Sequence, residues 1–370
     1  MGDPELPSLH AFHPSGMWCR GGAVWFLLCC VLQSQGRGKS VEEQLGDNID
    51  ALRLVRVLPA TQSRQKILCW VNTFDQNHDR AKSIKATWGK RCDKLVFMSN
   101  VEDLTIPTVR IVAPATHLHL WQKHRAVVRL LWREYGDTYD WIFKCDDDTY
   151  AIVENLRAYL ASFASNSTQP LLLGHRMTLQ WWEMQRAFEW VYGPDLPAAM
   201  KRLHYVAFSV TKTATMSHGG LYYTPGGGGY AFNAAYLKLL VENLDEPFCL
   251  PDEIVPDDWA ISFCMRFLNV YPIDTRDANQ RERFHQYSPA RIFHEIHDPD
   301  AYDHDLFPSI EFENNWFSDH GGGIGWKNGT ECAAPDTISF HYIKPPFMEL
   351  VDEYYYRTSY EESTRLRREP

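Results

Sequence analysis

The chain has 370 residues, 45% of them apolar and 23% charged, which is enough for a full hydrophobic core and excludes a mainly disordered protein. Its 37 basic residues against 47 acidic ones leave a formal charge of −10, with no basic cluster before the Arg-rich end, which argues against a binder that tracks nucleic-acid phosphates. Nine cysteines are scattered without a C-x-x-C pair, which argues against a zinc knuckle or a thioredoxin-type redox centre.

Residues 1–16 lack periodicity and read as a disordered leader. At 21–32 the chain reads GGAVWFLLCCVL, shorter than the roughly 20 apolar residues of a full spanning helix. Extended by Met17, Trp18 and Cys19, the region 17–35 reads as a signal anchor or a signal peptide, with a buried helix as the structural alternative. Residues 36–63 read as a stem: Val41, Leu45, Ile49, Leu52 and Val55 lie at helical spacing, fitting an amphipathic helix that pairs with another chain, and Pro59 ends it. A globular region follows over 64–345. Its first strand is predicted at 66–71 (KILCWV), a helix at 81–88, a second strand at 94–98, a helix at 118–132 and a third strand at 139–143. That alternation predicts an α/β fold, a mostly parallel sheet flanked by helices, with ligands at the carboxyl ends of the strands. Residues 175–222, rich in Trp and Tyr, read as an insertion that covers a face, and 346–370 as a loose polar tail. Two N-glycosylation tripeptides, at Asn166 and Asn328, matter only if the chain enters the secretory pathway.

The sharpest chemical signal is the triad Asp146, Asp147 and Asp148, placed directly after the third strand. Three adjacent carboxylates repel one another, and a hard divalent cation such as Mg²⁺ or Mn²⁺ removes that conflict while binding a nucleotide diphosphate. A solvated acidic loop is the plain alternative. The pair Asp257 and Asp258 opens an apolar helical pattern and suits either an N-cap or a general base for sugar transfer. Gly226 to Gly229, followed by Tyr230, is a backbone that a flat ligand can approach closely, or a plain turn. His341, between aromatics, is either a structural imidazole or a ligand for the same cation as Asp148.

Taken together these segments resemble the core 1 β1,3-galactosyltransferase family within the Fringe-like β1,3-glycosyltransferases. The resemblance runs in order through ILCWVNT (67–73), SIKATWGKRCDKLVFMSN (83–100), CDDDTYAIVENLRAYL (145–160), GGGGY (226–230), PDDWAISFCMRFLNV (256–270), RERFH (281–285) and ISFHYI (338–343). It implies a GT-A type glycosyltransferase fold with a Rossmann-like nucleotide half. It also implies a type II Golgi membrane protein, often a homodimer, that uses UDP-galactose and Mn²⁺ and a GalNAc-bearing glycoprotein acceptor. Carried over by position, Asp148 and His341 would hold the metal, with Asp146 beside them. Asp146 and Asp147 would also face the ribose and diphosphate of the donor, Thr73, Lys85 and Trp88 would line the nucleotide pocket, and Gly228, Gly229 and Tyr230 would lie under the sugar. Asp258, or else Asp257, would be the base. The family's cysteine positions imply the bridges Cys69–Cys92 and Cys249–Cys264, and leave Cys145 and Cys332 without partners. The sequence departs from the family in its long 175–222 segment and in the single Cys332 where a double cysteine is usual. A β1,3-transferase with another donor or acceptor is a second reading. A non-catalytic, chaperone-like paralogue is a third, and the intact acid triad argues against it.

Overall fold

The computed structural model describes residues 39–59, 63–116, 119–136, 138–163, 168–179, 221–251, 254–294 and 327–366. It opens with two short helices, α1 (Val41–Leu45) and α2 (Ile49–Leu52). The expectation of a separate stem is corrected over this stretch. Leu45, Ala51, Leu52 and Val55 are buried in the main core, and the Arg56 amide donates to the Pro335 carbonyl at 2.8 Å. An apolar stripe at helical spacing needs a cover, and here the same unit supplies it.

The alternation then appears in order: β1 (Ile67–Asn72), α3 (His78–Ala86), β2 (Lys94–Ser99), β3 (Thr108–Arg110), α4 (Leu120–Tyr135) and β4 (Trp141–Asp146). Next come β5 (Tyr150–Ala151), α5 (Val153–Leu160), β6 (Leu172–Gly174), β7 (Met177–Leu179), β8 (Leu221–Tyr223) and β9 (Tyr230–Asn233). The chain continues through α6 (Ala234–Asn243), α7 (Asp257–Phe267), β10 (Ile273–Asp274), β11 (Phe284–His285), α8 (Pro289–His294), β12 (Ser339–Phe340) and α9 (Phe347–Leu366).

Seven strands form the central sheet in the order β10-β6-β9-β4-β1-β2-β3. Alternate residues of β1 serve two cores. Ile67, Cys69 and Val71 pack with Ile84 of α3 and Leu156 of α5, whereas Leu68 and Trp70 pack with Val127 of α4, Leu240 of α6 and Ile261 of α7. This is a sheet covered by helices on both faces, as the continuous burial of β1 requires.

The sheet is mostly parallel, as expected, but mixed, because one strand is reversed. β1 pairs in parallel with β2 and β4, but β9 runs antiparallel to both β4 and β6. The reversal has a local consequence. Tyr230 is opposite Lys144, so the glycine turn that precedes β9 projects past the carboxyl end of β4, toward the acids.

A second sheet has the order β11-β12-β5, and β7 and β8 pair as a third. The latter strands flank the aromatic segment, whose residues 180–220 lie outside the described ones. The reading of 346–370 as a loose tail is also corrected, because α9 occupies most of it and buries Met348, Val351 and Tyr355. Its anchoring is polar as well as apolar: Arg91 forms a two-bond pair with Asp352 at 2.7 and 3.3 Å, and the Tyr150 hydroxyl donates to Asp352 at 3.0 Å.

Both implied disulfides are present, Cys69–Cys92 and Cys249–Cys264, each contributing about 3 kcal/mol by loop closure. Cys145 and Cys332 are buried thiols. Asn328 is exposed, and Asn166 lies outside the described residues. The apolar run within 17–35 also lies outside them, and among the described residues no helix is long and apolar enough to cross a membrane.

Candidate active site

Parallel pairing places Asn72 of β1 opposite Asp146 of β4, so the residues just past both strands, Thr73 and Asp147, meet at one sheet edge. There the three acids separate, each toward its own partners. Asp146 accepts from the Lys144 ammonium at 3.2 Å. Asp147 accepts from the Thr73 hydroxyl at 2.8 Å and from Arg80 of α3 at 3.0 Å. Asp148 faces His341 Nε2 at 3.1 Å, Arg80 at 3.6 Å and Lys344 at 4.0 Å. Burial pushes the Asp147 carboxyl up to about 6, against the pull of Thr73 and Arg80. For Asp148 burial acts the same way but is outweighed by His341, Arg80 and Lys344, which hold it below the usual carboxylate range.

The small second sheet delivers His341. β12 runs antiparallel to β5, with Phe340 opposite Tyr150, and the Ile343 amide donates to the Asp148 carbonyl at 2.8 Å. On its other side the His341 amide donates to the His285 carbonyl at 3.1 Å. The glycine turn closes over the imidazole: a Cβ on Gly227 would come within 2.3 Å of the His341 ring, so a side chain there cannot coexist with this histidine. The turn is pinned by Thr149, whose hydroxyl donates to the Gly227 carbonyl, by Ser339, which donates to the Gly228 carbonyl, and by the Gln286 side chain, which accepts from the Gly228 amide.

The donor chemistry fits a divalent cation. His341 Nδ1 is 3.2 Å from the Gln286 backbone carbonyl oxygen, which can only accept, so Nδ1 carries a proton; Nε2, 3.1 Å from Asp148, can donate to that carboxylate or, once deprotonated, share a cation with it. Asp146 does not join the pair, and among the described residues no group of three or more His, Cys, Asp and Glu side chains forms a cage. A two-ligand grip suits Mn²⁺ or Mg²⁺, which commonly take their remaining ligands from water and phosphate oxygens.

The second acid pair begins α7. Neither acid is the N-cap, which is Pro256; both occupy the first turn. Asp257 is buried and takes both available donors, His124 Nδ1 at 3.1 Å and the Lys144 ammonium at 3.5 Å. Burial favours its neutral form, but Lys144 and His124 hold the carboxyl far below the usual range. Asp258 is only half-buried and receives backbone amides instead, Trp259 at 2.9 Å and Gly226 at 3.3 Å. Burial and the adjacent Asp257 charge push it up to about 7, the range in which a carboxylate is an effective base near neutral pH.

The other positions implied by the resemblance fall on different surroundings. Trp88 is fully buried and its indole donates to the Thr149 carbonyl at 3.0 Å, so it supports the loop after the triad from beneath. Lys85 is exposed and donates to the Thr105 carbonyl at 2.7 Å. Gly228, Gly229 and Tyr230 are buried, and the Tyr230 ring lies 5.4 Å below the Lys144 ammonium. Sequence reasoning missed Lys144, His124, Arg80, Gln286 and Lys123. The last is 2% exposed and donates to the Thr73 carbonyl at 2.8 Å, and burial lowers its pKa to about 8. One signal was available: a lysine inside the apolar run WIFKC is an anomaly that burial allows only with partners.

Fold and site together define an α/β protein whose charged residues converge at the carboxyl ends of β1 and β4. The chain belongs to the Fringe-like family, whose profile matches residues 62–297. It is 25% identical over 296 residues to glycoprotein-N-acetylgalactosamine 3-beta-galactosyltransferase 1 of Xenopus laevis, covering 79% of this chain and 66% of that protein. Beta-1,3-glucosyltransferases of Mus musculus and Homo sapiens are 25% and 24% identical to it, covering 63% and 56% of this chain. The chain spans 66%, 40% and 34% of the lengths of these three relatives.

Proposed function

We propose that this chain is an inverting β1,3-galactosyltransferase of GT-A type that moves galactose from UDP-galactose to the 3-hydroxyl of GalNAc O-linked to glycoproteins. The reading is supported by two acid sites with different electrostatics: Asp148 facing the His341 imidazole at 3.1 Å, and Asp258, whose carboxyl is pushed up to about 7. The name of the Xenopus laevis relative supports the donor and acceptor.

Asp148 and His341 would hold Mn²⁺, which when bound supplies Lewis-acid stabilisation of the departing diphosphate. Arg80 and Lys344 add fixed positive charge on the same side. Asp258 accepts the proton of the acceptor hydroxyl as its oxygen bonds to the anomeric carbon. The bond to UDP breaks on the opposite face, and inversion follows from that in-line geometry. We further propose that the 17–35 run anchors the protein in the Golgi membrane with its catalytic unit in the lumen, an oxidising compartment in which the two disulfides persist.

The match to beta-1,3-glucosyltransferases favours a second reading, the same chemistry with another donor or acceptor. The test is transfer by the full-length protein from UDP-galactose to a GalNAc-Ser/Thr peptide with Mn²⁺. Galβ1-3GalNAc is expected, and chelation should abolish it. Product only with another sugar nucleotide or acceptor would replace the first reading by the second, and no product from any pair would overturn both. Because Asp258 must be ionised to take a proton, and its pKa is pushed up to about 7, kcat/KM should fall about tenfold per unit as pH drops below that value.

A further inference from the structure

Lys144 is the least expected residue of the site. It is 1% exposed, on a strand whose neighbours Phe143 and Cys145 are fully buried, and its ammonium lies 3.2 Å from Asp146 and 3.5 Å from Asp257. One cation therefore joins the acids that end β4 to the acids that begin α7. The glycine turn is shaped around it. A Cβ on Gly226 would come within 2.6 Å of the ammonium nitrogen, and the amide of the same residue donates to Asp258.

A second anchor acts on the same carboxylate. His124 is 1% exposed, its ring lies 4.8 Å from the Trp70 ring and 5.6 Å from the Trp121 ring, and its Nε2 has no hydrogen-bond partner among the described residues. Its hydrogen-bonding capacity is thus directed through Nδ1 to Asp257.

We propose that Lys144 is the positioning residue of the base: with His124 it fixes Asp257 as a permanent, non-reacting anion, so that Asp258 and not Asp257 takes the acceptor's proton. The proposal deepens the transferase reading and rests on it for the identity of the base. Two charges of opposite sign then act on Asp258. Lys144 favours its ionised form and Asp257 opposes it. Among the described residues, the charged and titratable groups that interact with Asp258 are Asp257 on its own helix, Lys144 on β4 and Tyr230 on β9.

The experiment is carbon-13 NMR titration of aspartate carboxyls in the full chain, with the Asp258 signal assigned by its loss in Asp258→Asn. Titration near pH 7 is expected in the parent protein. Asp257→Asn should move it down by about one pH unit and Lys144→Met up by about one. The acidic limb of the kcat profile should follow in the same directions. Lys144→Gln, which keeps a hydrogen-bond donor but no charge, reads the same upward shift if Lys144→Met fails to fold. An Asp258 titration that is unchanged, or that moves the same way in both charge variants, overturns the proposal, because a merely structural role predicts no opposed shifts. A protein that transfers no sugar would fail the transferase reading, while the NMR titration would still decide this one.

Discussion

The two acid clusters solve like-charge repulsion in different ways. In the 146–148 triad the positive groups are spread over all three carboxylates: Lys144 on Asp146, Arg80 between Asp147 and Asp148, and His341 with Lys344 on Asp148. In the 257–258 pair both side-chain donors, the Lys144 ammonium and the His124 imidazole, go to Asp257, and Asp258 receives backbone amides. Spread over the triad, the cations hold Asp148 below the usual carboxylate range while Asp147 is pushed up to about 6; concentrated on Asp257, they leave Asp258 at about 7, which in the proposed mechanism suits it to act as the base. The difference teaches that which acid becomes reactive depends on where the cations are placed, more than on how many acids are present.

The largest effect should come from removing the reactive member of the 257–258 pair. Asp258→Asn is expected to lower kcat by about a thousandfold while UDP affinity in Mn²⁺ stays within about twofold, measured by turnover and calorimetry. The folded-state pKa of Asp258 lies above its value of 3.8 in an unfolded chain, so stability is lost progressively as pH rises from about 3.8 to about 7, and the full cost stands above that. The same variant should therefore melt at a higher temperature than the parent at pH 8. If turnover survives, the contrast between the two clusters is broken.

A smaller effect is expected at the triad. His341→Ala removes the imidazole that meets Asp148 and should weaken Mn²⁺-dependent UDP binding by about 100-fold with the metal-independent remainder unchanged. An equal loss with and without metal would remove the grip from the account. Smallest of the three is Arg80→Met, which takes one donor from Asp147 and should cost about 1 kcal/mol in urea unfolding. A null result there would show that the hydrogen bond from Thr73 alone compensates Asp147.

Much of the architecture was legible because hydrophobic period is a local property. The strand at 66–71 appears as β1, the helix at 118–132 as α4, and the strand expected at 139–143 as β4, which runs on to include Asp146, the first acid of the triad. The elements that went unread depend on partners distant in sequence. The helical spacing at 41–55 gave a helix but not its cover, which lies partly at α9. The tail looked polar because α9 buries only a narrow stripe that includes Val351 and Tyr355. The antiparallel insertion of β9 has no signature of its own, since a short buried strand reads the same in either direction. At the site, Asp258 could be nominated from its motif, but its raised pKa could not, because that comes from burial and the Asp257 charge, with Lys144 opposing both through space. His124, 133 positions from the acid it orients, is one histidine among 15 in sequence and acquires meaning only with the fold.

The strand that carries Ser339 and Phe340 onto β5 has a consequence for biosynthesis. During translation β4 leaves the ribosome far ahead of β12, and Asp352 must reach a tyrosine 202 positions upstream before α9 is clamped. Closing so large a loop is slow, because its entropy is lost before any contact repays it. A nascent polypeptide that has not reached β12 therefore carries every carboxylate of the site, and His124 beside Asp257, but not the imidazole that meets Asp148; in the proposed mechanism the cation would then have only one side of its grip, even with the whole central sheet made.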